Sequence, residues 1–194
     1  MNLHAPAVKR PATYQDVLDA PPNMVAEIVD GALSLQPRPM MRHARACFRL
    51  AGRLDDPFQG GRGGPGDWWF AVEPELHLDG NVLVPDLAGW RRERMPEFPG
   101  EVVGVTLAPD WVCEIHSPST RAFDQTEKSA AYAHAGVAHL WFVDPEARTL
   151  QAFALQEGRW LQLAALREDA EVAAPPFDAA PFPLDALWPD GPRG

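Results

Sequence analysis

The chain has 194 residues, 46% of them hydrophobic and 23% charged, with seven Trp; this is the size and composition of one globular domain spanning 1–194 and excludes disorder over most of its length. Twenty-seven acidic against seventeen basic residues give a net charge of −10, which excludes a non-specific nucleic-acid coat or a basic membrane-surface protein, because attraction to phosphate needs the opposite sign. Any polyanion has to meet a local basic patch.

The leader, 1–12, has no apolar core of the kind a secretory signal needs, and no run of 18 apolar residues follows, so the expectation is a cytoplasmic protein without a membrane span. Thr13 to Ala20 reads as a short helix with Thr13 as N-cap and Pro21-Pro22 as its stop. Met24 to Val29 and Ala32 to Leu35 read as strands joined by Asp30-Gly31, a two-residue hairpin turn. From Met41 to Leu54 the period becomes helical. His43, Cys47, Leu50 and Leu54 share one side, and Arg42, Arg45, Arg49 and Arg53 form a basic stripe on another. Gln59 to Asp67 is a glycine-rich connector without the terminal Lys-Ser/Thr of a phosphate-binding loop. Trp68 to Leu78 and Val82 to Trp90 are expected to form a second hairpin around Asp79-Gly80-Asn81, and Asp110 to His116 a further strand. After Ser117-Pro118-Ser119, Asp124 and Glu127 read as a capping box opening a helix from Gln125 to Ala135, with Gly136 beyond its end. The apolar run Leu140 to Val143 completes a βαβ unit with parallel strands. Thr149 to Leu155 and Arg159 to Leu166, split by Glu157-Gly158, make another hairpin, and the Pro-rich segment 174–194 is expected to pack on the body in extended form.

The chemistry lies in acids on apolar strands. Alternation puts Trp111, Cys113 and Ile115 on one face of the strand Asp110 to His116 and Val112, Glu114 and His116 on the other. Asp86 lies in the apolar stretch Val82 to Leu87, and Glu27 shares a face with Val25 and Val29. Buried and unpaired, each carboxylate would be costly, so either a shared cation or salt bridges to the arginines must resolve them; three acids at strand ends suit Mg²⁺ or Mn²⁺. Lys128 is expected to point back toward the Ser117 loop, with Tyr132 four residues on at the same face, either hydrogen-bonded into the site or packed in the core. Cys47 and Cys113 have no metal or redox spacing and read as free buried thiols, and the six His never form a zinc ligand set.

VPDL at 84–87, CEIHSPST at 113–120, the spacing of Asp124, Lys128 and Tyr132, and AGVAHLWFVDP at 135–145 resemble the Uma-type restriction endonuclease family, a branch of the PD-(D/E)XK nuclease superfamily. The resemblance spans nearly the whole chain. It implies an α/β, restriction-endonuclease-like fold, a mixed β-sheet flanked by α-helices, and a Mg²⁺-dependent endonuclease acting on nucleic acid, with DNA the expected partner. By position it implies Asp86, Glu114 and Glu27 as catalytic metal ligands, Lys128 as the catalytic lysine moved from strand to helix, and His43 as an auxiliary residue. The chain departs from the superfamily at 116, where His replaces the strand Lys; His116 is left open as a base, a phosphate donor or a core histidine. Removing Lys128 is expected to abolish cleavage and leave folding almost unchanged. The basic stripe supplies phosphate contacts in this reading, and cutting both strands favours a homodimer. The alternatives are a catalytically silent nuclease-fold binding or scaffold module, for which the net charge and the missing strand Lys speak, and a small-molecule hydrolase using the same site.

Overall fold

The computed structural model describes residues 10–189, so Met1 to Lys9 of the leader and Asp190 to Gly194 of the C-terminal segment lie outside the described residues. Helix α1 (Tyr14–Leu18) comes first, its start fixed by Asp16, whose carboxylate accepts from the Thr13 backbone N–H at 2.7 Å. Asp30 (φ 49°) and Gly31 (φ 71°) both take the left-handed conformation that a type I′ turn needs, and β1 (Met24–Val29) therefore pairs antiparallel with β2 (Ala32–Pro37). The long helix α2 (Met41–Leu54) buries Ala46, Cys47, Leu50 and Leu54, the stripe its periodicity predicts.

The second hairpin departs from expectation in an instructive way. Its turn is Asp79-Gly80, but both arms are broken, into β3 (Trp68–Val72) and β4 (Glu75–Leu78) on one side and β5 (Asn81–Leu83) and β6 (Leu87–Arg91) on the other. Pro74 and Pro85 cannot donate to a ladder, and Glu73 takes a positive φ of 47°, so pairing stops at the same level in both arms. The hairpin thereby changes sheets. Its tip joins a five-stranded sheet of order β2-β1-β5-β4-β7, where β7 is Gly104–Val105. Its base joins a six-stranded sheet of order β11-β10-β9-β8-β6-β3, with β8 (Trp111–Ile115), β9 (His139–Asp144), β10 (Thr149–Gln156) and β11 (Arg159–Arg167). Asp86 sits at the break, where the two sheets part.

Strands β8 and β9 run parallel, from Trp111↔His139 to Ile115↔Val143, as a strand-helix-strand crossover requires. The crossover helix covers 121–134, with a π-helical stretch at Asp124–Lys128 between α-helical ends. Gly136 (φ 76°) ends it in a Schellman motif, with Val137 N–H on Tyr132 O at 3.0 Å and Gly136 N–H on Ala133 O at 3.2 Å. Its start corrects the expected capping box. Ser117 and Thr120 cap each other through side chain and backbone at 3.3 Å, so the helix begins one turn early and Asp124 becomes an interior, buried residue.

Alternation along β8 sorts the core. Trp111, Cys113 and Ile115 join α2 and the C-terminal segment on one face, while Val112 joins Tyr132, Val137, Leu140 and the five-stranded sheet on the other. The described part of the C-terminal segment packs on the body as expected but is not extended: it turns at 175–180, its β13 (Phe182–Pro183) pairs with β12 (Glu171–Val172), and Leu184–Leu187 wind into a 3-10 helix because Leu184 and Leu187 are buried together, as are Phe177 and Trp188. Both thiols are free and buried, and burial pushes the Cys47 thiol up to about 12. Among the described residues no helix is long and apolar enough to cross a membrane.

Candidate active site

The site forms because the hairpin break, the end of β8 and the crossover helix meet on one cavity of about 240 Å³. Glu27, Asp86, Glu114, Asp124, Lys128 and His43 all line it. Lys128, 3% exposed, sits between two equally buried glutamates, its Nζ 2.9 Å from Glu27 Oε1 and 2.9 Å from Glu114 Oε1. Val84, freed from any ladder by Pro85, is held by the same group: its N–H donates to Glu27 Oε1 at 2.7 Å and its carbonyl accepts from Lys128 Nζ at 3.1 Å. Tyr132 OH donates to Glu114 Oε1 at 2.6 Å, which answers its open reading in favour of a hydrogen bond into the site.

Asp86 is tied to β8 by the Ile115 N–H on its Oδ2 at 2.6 Å, and its Oδ1 faces His43 Nε2 at 3.0 Å. One carboxylate edge is thus fixed to the strand that carries Glu114. Burial pulls the His43 imidazole down, but Asp86 more than offsets it, leaving the ring above its ordinary pKa. Burial raises Glu114 well above the usual carboxylate range, opposed by Lys128, and lifts Asp124 to about 6. Burial likewise lowers the Lys128 ammonium, but Glu114, Glu27 and Asp124 together hold it firmly protonated. With Glu73 added, five acids line a cavity whose only permanent cations among the described residues are Lys128 and the rim residue Arg38.

This acid surplus and the hard oxygen donors fit a divalent cation in charge and chemistry. Among the described residues no group of three or more His, Cys, Asp or Glu is arranged to hold a metal ion; Glu27 Oε1 is engaged by Val84 and Lys128, and Glu114 Oε1 by Lys128 and Tyr132.

The sequence profile of the Uma2 family, described as "putative restriction endonuclease", matches residues 11–181. The chain belongs to the Uma2 family. Among solved structures it is similar to a protein titled a putative nuclease belonging to DUF820 from Anabaena variabilis ATCC 29413, with 21% identity, a TM-score of 0.73, and 91% of this chain and 97% of that chain covered. At this identity the likeness shows the fold, an α/β architecture of mixed sheets flanked by a few helices. No curated protein matches the sequence.

Two expected site residues of this Uma2 chain lie elsewhere. His116 faces the same side of β8 as Glu114 but lines a different cavity, stacked on Phe142 at 4.8 Å, and burial lowers its imidazole to about 4. Arg49 leaves the basic stripe: its Nε donates to Ala186 O at 2.8 Å, and the side chain is half-buried under the C-terminal segment. Helical phase does not separate it, since Arg49 lies between Arg45 and Arg42 around the helix; the C-terminal segment reaching over this turn covers it, while Arg42, Arg45 and Arg53 stay exposed. Conversely, Asp124 lines the cavity although its sequence position reads as a cap. The signal that could have revealed it is the preceding Ser117-Pro118-Ser119-Thr120, which already contains the residues to start the helix.

Proposed function

We propose that this Uma2 chain is a Mg²⁺- or Mn²⁺-dependent endonuclease that hydrolyses phosphodiester bonds of nucleic acid, with DNA as its substrate. The observation that carries the reading is the buried Lys128 from the crossover helix, held between Glu27 and Glu114 beside Asp86 on one open cavity. Asp86 and Glu114 are the residues that would hold the ion, which when bound lowers the pKa of a water and offsets charge on the phosphate. Tyr132 fixes one Glu114 oxygen, and the Ile115 N–H and His43 fix the two oxygens of Asp86, so both carboxylates are oriented before any ligand arrives. Lys128 supplies a fixed positive charge where negative charge develops, and it needs no reorganisation because its geometry is already set.

The test is incubation of the full chain with duplex DNA, single-stranded DNA and RNA in Mg²⁺, Mn²⁺, Ca²⁺ or chelator, alongside Asp86→Asn and Glu114→Gln. Cleavage of DNA in Mg²⁺ or Mn²⁺ that both variants lose is the expected result; no cleavage of any nucleic acid in any metal would overturn it. A second reading, a silent nuclease-fold binding module, draws on the closed contacts of Lys128 with both glutamates. Calorimetry separates the two, because a silent module need not take up Mg²⁺ and the endonuclease must. A duplex cut on both strands would be read by two copies about a two-fold axis.

A further inference from the structure

Beside the active-site cavity and sharing no wall residue with it lies a second one of about 260 Å³, lined by His116, Arg121, Gln125, Asp144, Gln151 and Arg167 among others. The crossover helix divides them: Asp124 and Lys128 face the first, Arg121 and Gln125 the second. Two buried nitrogens here lack partners. His116 is 5% exposed, and its Nε2 makes no hydrogen bond, although the ring is fixed by stacking on Phe142. Arg121 Nε is also buried and unpartnered. Its ion pair with Asp144 uses a terminal nitrogen, and the other Asp144 oxygen already accepts the Glu146 and Ala147 N–H groups at 3.0 and 2.9 Å. Asp144 is therefore held by three N–H groups and makes no bond to Arg121 Nε. Buried polar atoms are nearly always paired, so Arg121 Nε, with the His116 proton placed on Nε2 in the same cavity, asks for an acceptor from outside.

The cavity's charged side chains are Arg121, Arg167 and Asp144, a net positive lining in a chain of net charge −10. Its polar remainder, Gln125, Thr149 and Gln151, can donate to the same acceptor. A small tetrahedral oxyanion suits such a set: several N–H donors, one surplus charge and no metal-ligating cluster. Position narrows the source. Glu114 and His116 are two residues apart on one face of the strand, about 6.6 Å at the usual rise. Both cavities thus lie within reach of one nucleic-acid strand.

We propose that this second cavity is a phosphate-binding subsite, holding a backbone phosphate of the nucleic acid near the phosphate at the active site. The assignment rests on the nuclease reading and gives it a fixed register on the strand. Arg121 and His116 position the substrate here and take no part in the bond cleavage.

The test measures binding of the full chain to a short DNA duplex in Ca²⁺, with single backbone phosphates replaced in turn by neutral methylphosphonates. Wild type, Arg121→Gln and His116→Phe are compared, the last keeping the ring stack and removing Nε2. Each variant is expected to weaken binding about tenfold, with Arg121→Gln alone lowering the salt dependence by about one phosphate contact. One methylphosphonate position should weaken wild-type binding and leave the Arg121→Gln complex unaffected, a coupling that a merely structural arginine would not produce. If the duplex binds but no position couples to Arg121, the subsite is wrong and the nuclease reading stands. If only a terminal 5′-phosphate couples, the cavity reads strand ends and the backbone assignment is overturned. If the wild type binds no duplex, both fall.

Discussion

Lys128 shows how burial changes what a single substitution means. From sequence alone its removal is expected to spare the fold, but the side chain is 3% exposed and neutralises Glu27 and Glu114 at 2.9 Å each. Lys128→Met therefore leaves buried carboxylates uncompensated and should destabilise the chain by about 3 to 5 kcal/mol, together with a loss of about 10² to 10³ in cleavage rate. Adding Glu27→Gln should recover stability, read in urea, without recovering cleavage; recovery of both would make Lys128 a structural cation only. Asp124 makes a pH prediction. Burial raises its folded pKa to about 6 from an ordinary 3.8, so its contribution is fully present below 3.8 and lost as pH rises through 6. Wild type should thus lose about 3 kcal/mol relative to Asp124→Asn between those limits, seen in thermal midpoints taken with chelator present. A constant difference across the window would show that Asp124 titrates normally. His116 acts in the opposite sense: with its pKa lowered to about 4, its contribution is present above 6.5 and lost as pH falls through 4.

At the scale of elements, helix α2 divides its own arginines. Arg42, Arg45 and Arg53 are exposed, whereas Arg49 is fastened to Ala186 O, so they should fail differently when truncated. Alanine at Arg42 and Arg45 should weaken DNA binding and flatten its salt dependence with little change in stability. Alanine at Arg49 should instead lower stability by about 1 kcal/mol, with the salt dependence unchanged. Equal salt slopes for all of these variants would remove α2 from the nucleic-acid footprint. The same helix marks what was legible in the sequence. Its bounds, the Asp30-Gly31 turn, the alternation of β8 and the Gly136 stop follow from local rules, and the structure has them where those rules put them. The convergence of Glu27, Asp86, Glu114 and Lys128 was also readable, since an acid on an apolar strand requires a partner. What was not readable depended on two chain segments at once. The break in the hairpin takes Pro74 and Pro85 opposite each other, and the fate of Arg49 depends on a segment 137 residues away. His116 required knowing that the crossover helix divides the cavity of Glu114 from the one His116 lines two residues further on.

For the whole molecule, the C-terminal segment is the closing wall of the core. Phe177, 1% exposed, lies among Phe58, Trp68, Phe70, Trp111 and Trp141, with ring centroids 4.8 to 5.6 Å away. Trp141 Nε1 donates to Pro175 O at 2.9 Å, and Trp188 Nε1 to Glu168 O at 3.1 Å, so the segment is fixed at both ends. Trp111 lies on the strand that presents Glu114 to the cavity, which means the segment supports the site from the opposite face of the sheet. Phe177→Ala should accordingly cost about 3 to 5 kcal/mol, as large buried aromatics do when a cavity is left behind. Phe48→Ala, at a side chain 75% exposed on α2, should stay within about 0.5 kcal/mol and serves as the control for aromatic loss alone. Urea unfolding of both variants measures the difference. Since the aromatic cluster and the acid cavity lie on opposite faces of β8, Phe177→Ala at low temperature should still bind Mg²⁺ where it remains folded, with the affinity of the wild type. A variant that is as stable as wild type would show that the segment only lies against the core, and one that stays folded but loses the metal would show that the aromatic cluster sets the position of Glu114 directly.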